Sequence, residues 1–230
     1  MITMLSTIGS AIARRWVLWI VIAVGFVISY NLMLLAALIL RFGQVPNYMT
    51  VYDYPHNVIH IFQNTPALTD AIQIVADEWL LEIGHMNYDY GHGVSEWSLT
   101  VLPFKAALLL AGGALLATVI VLMQPGKSAA CTVATKGGAL GVAGGGAALL
   151  GFANATLSWV VCCAAPNWVA SLAMLGMSAS WAFWLEPFGH IITASGFGLL
   201  VVAIVVLASR QAGAAAAERD GARGVSAMST

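Results

Sequence analysis

Four apolar stretches, residues 16–40, 102–123, 139–165 and 188–208, decide what this chain can fold into. Each reaches the ~20 residues that a helix needs to cross the hydrocarbon core of a bilayer. With 60% hydrophobic and only 8% charged residues among 230, the chain cannot present the charged surface of a soluble domain this size. The expected fold is an all-α integral membrane protein of about four transmembrane helices, with an extracytoplasmic segment between helices 1 and 2. The first stretch follows Arg14 and Arg15, as a signal core would. It outruns a signal core, however, and no small-x-small site follows it, so it reads as a retained anchor.

Basic residues set the orientation. Arg14, Arg15, Lys127, Lys136, Arg210, Arg219 and Arg223 make up seven of the nine, and all fall on one side of the four stretches. The positive-inside rule makes that side cytoplasmic, giving a multi-pass protein of a bacterial inner (plasma) membrane with both termini inside. Residues 1–41 are then a cytoplasmic N-terminus and first span, 42–101 an acidic extracytoplasmic segment, 102–123 the second span and 124–138 a cytoplasmic loop. Residues 139–208 form a helical hairpin and 209–230 a flexible cytoplasmic tail. Arg41 and Lys105 sit just inside the flanking spans, where long side chains snorkel.

The outer segment holds Asp53, Asp70, Asp77, Glu78, Glu82, Asp89 and Glu96, and no Lys or Arg. Such a field attracts cations or a basic extracytoplasmic protein. Pro46, Pro55 and Pro66 mark loops and short helices. After Thr65 as N-cap, the spacing of Leu68, Ile72, Val75, Leu80 and Ile83 predicts an amphipathic helix ending at Gly84, on the membrane surface or against the bundle. His56 and His60 are i, i+4, and Glu78, Glu82 and His85 are i, i+4, i+7, with Met86, Asp89 and His92 close behind. On helices these sets could ligate a metal. The plainer alternative is a solvated acidic face with interfacial histidines. Tyr48, Tyr52, Tyr54, Trp79, Tyr88, Tyr90 and Trp97 suit an interfacial belt.

In the third stretch Gly137, Gly141 and Gly145, beside Gly144 and Ala148, form a small-xxx-small face that permits close helix approach. Asn154, Ser158 and Cys162 then follow at i, i+4, i+8, so on a helix a polar path leads to the adjacent thiols Cys162 and Cys163. Pro166 removes the hydrogen bond its N–H would have given Cys162 O. Adjacent thiolates suit soft ions such as Hg(II) or Cu(I); buried cysteine is also a common small apolar filler.

From Lys136 to Ala208 the sequence resembles the mercuric ion transporter (MerT-type) family. The residues that carry the resemblance are Gly138-Ala139-Leu140, Cys162-Cys163-Ala-Ala-Pro166, Leu175-Gly176-Met-Ser178, Trp181 and Leu185-Glu186-Pro187, in that order. The resemblance implies that Cys162 and Cys163 accept Hg(II) from the outer side. Larger members carry a second cysteine pair, whereas Cys131 here is single.

Two functions fit these observations. One is transport or relay of a soft metal ion through Cys162 and Cys163. The other is a non-catalytic accessory subunit of a larger membrane protein complex, with the hairpin kept as scaffold. No P-loop, dinucleotide fingerprint, zinc-finger spacing or basic nucleic-acid patch occurs, so neither catalysis nor nucleic-acid binding is indicated.

Overall fold

The computed structural model describes residues 2–89, 91–124, 133–155, 157–159, 171, 176 and 178–227. Helix α1 (Ile2–Arg14) precedes α2 (Trp16–Phe42). Between α2 and the next long helix come β1 (Tyr48–Val51), α3 (Tyr54–Asn64), α4 (Leu68–Ala76), β2 (Leu81–Asn87) and β3 (Val94–Val101). Then follow α5 (Pro103–Met123), α6 (Val133–Ala153), β4 (Leu157–Trp159), α7 (Ala179–Leu185), a 3-10 turn (Glu186–Phe188) and α8 (Gly189–Ala227). Three stretches, Trp16–Phe42, Pro103–Met123 and Gly189–Gln211, are long and apolar enough to cross a membrane. They match the first, second and fourth apolar stretches of the sequence.

The third stretch differs. Helix α6 stops at Ala153, its apolar part is Gly138–Ala153, and the chain re-enters as strand β4 instead of continuing helical to residue 165. An apolar run such as Leu157-Ser-Trp satisfies a strand as well as a helix, so periodicity could not arbitrate. The protein is thus mostly helical but carries a sheet that an all-helical reading lacks. At the other end, α8 continues to Ala227 through residues expected to form a flexible tail. Its alanines at 212 and 214–217 are strong helix formers.

The chain divides into two compact units, one of Met1–Phe26, Ala111–Leu150 and Ala194–Thr230, the other of Val27–Leu110 and Gly151–Thr193. The first is helical. Its core joins Val119 and Leu122 of α5, Ala139, Ala143 and Leu150 of α6, and Leu200, Ala203, Ile204 and Leu207 of α8, with Ile8 and Ala11 of α1 against it. Without a hydrophobic drive between helices in lipid, close contact and hydrogen bonds must hold such a bundle. Both occur. Trp19 Nε1–H donates to Thr118 Oγ1 at 2.9 Å, tying α2 to α5, and a Cβ on Gly113 would lie 2.7 Å from Ala23 O. At the α6–α8 crossing, a Cβ on Gly146 would lie 2.7 Å from Gly196 O, and one on Gly196 would lie 2.9 Å from Gly146 O.

This corrects the small-residue face. The packed side of α6 is Ala139, Ala143, Gly146 and Leu150, whereas Gly141, Gly144, Gly145 and Ala148 are exposed, and a Cβ on any of these three glycines would meet nothing.

The second unit is built on a four-stranded antiparallel sheet of order β1-β2-β3-β4. The register places Tyr48, Thr50, Glu82, Gly84, Ser98 and Thr100 on one face and Met49, Val51, Leu81, Ile83, Leu99 and Val101 on the other. The expected helix from residue 65 to Gly84 is therefore divided: α4 covers Leu68–Ala76, with Ala67 rather than Thr65 at its N-cap, and Ile83 belongs to β2. Helix α3 starts as its sequence dictates. The Asp53 carboxylate accepts from His56 N–H at 3.3 Å, and Pro55 stands in the first turn, where its missing N–H costs no helical bond.

The glycine contact gives a direct test. Gly146→Val is expected to destabilise the purified protein by about 1–3 kcal/mol, because backbone faces the new Cβ and must move. Gly141→Ala should be neutral or slightly stabilising, since helix propensity improves by up to about 1 kcal/mol and nothing is struck. Thermal unfolding in one detergent compares the two.

Candidate functional site

The sheet's polar face is covered: Ser98 and Thr100 are essentially buried and Glu82 is 9% exposed. A carboxylate buried to that degree must be hydrogen-bonded or it would cost far more than the fold can supply. Gly84 makes the arrangement fit, since a Cβ there would lie 2.7 Å from Tyr48 Oη and closer still to Trp97 O. The Tyr48 ring occupies that space and its hydroxyl donates to Glu82 Oε1 at 2.8 Å. Tyr52, next along on the same face, donates to Oε2 at 2.7 Å. Tyr48 Oη also lies 2.9 Å from Ser95 Oγ; with its proton on Glu82, it accepts from Ser95. A chain Ser95→Tyr48→Glu82←Tyr52 results.

Burial raises both phenols above the ordinary tyrosine range, and the hydrogen bond to Glu82 raises them further; Ser95 partly offsets this at Tyr48. Each folded-state value exceeds its unfolded one. The stability they add is complete below about pH 10 and is lost as pH climbs toward the folded value. Around this chain, Asn57 Nδ2–H donates to Glu78 Oε1 at 2.6 Å and the Tyr52 and Trp79 rings meet edge to face at 5.6 Å.

The rim is ordered by Asn47. Its Nδ2–H donates to Met86 O and its Oδ1 accepts from Met86 N–H, both at 2.8 Å, beside the β2 bulge at His85/Met86. His85 Nδ1 lies 2.8 Å from Val45 O, an acceptor, which fixes the proton on Nδ1. The His85 and Phe42 rings each stack on Trp97 with centroids 6.3 Å apart. Glu96 accepts from Asn87 at 2.8 Å, and that bond, with one from Gln44, holds its carboxyl below the usual range.

The structure does not gather the expected outer ligands. Glu82 and His85 are three apart on a strand, so they point to opposite faces, whereas a helix would have brought them together. His56 and His60 do share α3, with ring centroids 6.5 Å apart, but both are exposed. Met86 sits at the bulge and His92 in the exposed β2–β3 turn. Among the described residues no group of three or more His, Cys, Asp or Glu could hold a metal ion. Asn154 lies in the turn that ends α6 and Ser158 lies opposite Ser98 in β4, so the helical path joining them is not formed. Cys162 and Cys163 lie outside the described residues.

Sequence reasoning took Glu82 as a ligand and Tyr48 and Tyr52 as membrane-belt residues. The alternation of Tyr48, Thr50 and Tyr52 at every second position was the signal of their common face. A scan of known family models finds no match to this chain, and neither does a search of curated proteins or of solved structures.

Glu82→Ala should cost about 2–4 kcal/mol, because two half-buried hydroxyls lose their acceptor, and Glu82→Gln about 1 kcal/mol, because an acceptor oxygen remains. Denaturant unfolding of the purified protein followed by tryptophan fluorescence reads both.

Proposed function

We propose that this chain is a non-catalytic accessory subunit of a larger bacterial membrane protein complex, whose sheet unit is an extracytoplasmic docking platform. One observation carries the reading: strand β4, drawn from beyond α6, closes onto the sheet that β1, β2 and β3 form between α2 and α5. The result is a rigid folded surface in place of a helical polar path toward thiols. Its exposed acids, Asp53, Asp70, Asp77 and Asp89, favour a basic partner, and residues 42–101 offer no Lys or Arg to oppose one.

The same connectivity supports four crossings with both termini in the cytoplasm. Helices α2, α5 and α6 each meet a strand of the one sheet within a few residues. At ~1.5 Å per residue the apolar part of α6, Gly138–Ala153, rises about 24 Å, so its return across the bilayer would need local thinning of the leaflets. The basic residues accumulate toward the other ends of these helices.

Relay of a soft metal ion through Cys162 and Cys163 is the second reading, favoured by the adjacent thiols and the resemblance to the mercuric ion transporters.

Purification from native membranes in mild detergent, with co-purifying proteins and bound metal both quantified, separates the two. Accessory function requires a stoichiometric protein partner that is retained when both cysteines are changed to serine. Thiol-dependent Hg(II) or Cu(I) at one ion per chain, with no partner, would overturn it.

A further inference from the structure

Helices α3 and α4 pack on each other, yet between them they leave much of their apolar surface uncovered. On α3, Ile59 is 57% exposed and Phe62 45%. On α4, Leu68 is 67% exposed and Ile72 54%. Each pair is spaced to share one helix face, i, i+3 on α3 and i, i+4 on α4. Polar residues are exposed on the side away from each pair, His60 on α3 and Asp70 and Gln73 on α4. Amphipathic helices with an unpacked apolar side need a cover.

Three observations say what that cover is. The sheet unit is tethered closely, since five residues separate α2 from β1 and one separates β3 from α5. The α3–α4 pair cannot move away from its base, because Asn57 of α3 donates to Glu78 just beyond α4 and Tyr52 packs on Trp79. Just beyond α4, Leu80 N–H donates to Val101 O at 3.0 Å, two residues before α5 and its apolar span Pro103–Met123 begin. The end of α4 therefore lies at the level where α5 enters the bilayer.

We infer that α3 and α4 lie on the membrane, with Ile59, Phe62, Leu68 and Ile72 immersed in the interfacial region of the leaflet that α5 enters. This attachment does not depend on the accessory function proposed above. Membrane-surface helices usually carry Lys and Arg for anionic headgroups, but α3 and α4 have none, so their attachment is apolar and independent of lipid charge. It anchors the sheet at two places: at the helix ends that feed its strands, and through this hairpin.

Photocrosslinking in the full-length chain tests it. Phe62 and Ile72 are replaced singly by benzoylphenylalanine, with His60 and Gln73 on the polar sides as comparison positions, and native membranes are illuminated. The expected products are phospholipid adducts at positions 62 and 72, several-fold more abundant than at 60 and 73, and unchanged when the anionic lipid content is lowered. Adducts to a protein at 62 and 72, whether a second copy or another chain, would overturn the inference, as would lipid yields no higher than at the comparison positions. Loss of a co-purifying partner would bear on the accessory function and leave these adducts intact, so the two fail separately.

Discussion

The backbone pairing of Leu157–Trp159 with Trp97–Leu99 is the constraint on which the second unit depends. Strands β1, β2 and β3 come from one stretch of chain and could form a meander alone. The fourth strand arrives from beyond two further helices, and its addition covers the outer edge of β3. Edge strands otherwise expose unpaired N–H and C=O groups, which invite foreign pairing and are especially costly near lipid. Where α6 ends, Tyr30 Oη–H donates to Gly151 O at 2.6 Å, and a Cβ on Gly151 would lie 3.0 Å from the Tyr30 ring. Gly151 O thus accepts twice, from Tyr30 and, at 3.2 Å, from Asn154 N–H in the turn that ends the helix.

The polar face carries an electrostatic constraint. Glu82, Ser98 and Thr100 are buried there, and the Glu82 carboxylate is held by two tyrosine hydroxyls, for which Gly84 leaves room. Glu82 is thereby removed from the acidic surface and becomes a structural acceptor.

Much of the helical framework was legible. Long apolar runs announce spans because lipid permits few other structures, and the edges of α2 and α5 fall within two residues of their expected positions. The sheet was not legible, for reasons that particular residues show. Leu80 and Ile83 are three apart, a spacing that reads as helical although Ile83 belongs to a strand. Leu157-Ser-Trp is apolar enough to pass for membrane helix, and only its long-range partner makes it a strand. Gly141 and Gly145 fit a packing motif, yet the tight crossing falls on Gly146, because Gly196 on α8 selects the face. Local pattern fixes what an element can be; the contact that chooses lies far along the chain.

The most direct measurement of this account is a cross-strand disulfide between register partners. In a chain whose three native cysteines are serine, Ser98→Cys and Ser158→Cys are introduced together. Directly opposed residues of an antiparallel pair have Cα atoms about 4.5–5.5 Å apart, within the range a disulfide spans. Mild oxidation in membranes should link them in high yield, and the linked protein should keep its thermal stability. If residue 158 lay instead within a continued transmembrane helix, no such bond would form; absence of the crosslink, with both thiols intact and the protein folded, would contradict the closed sheet and the platform built on it.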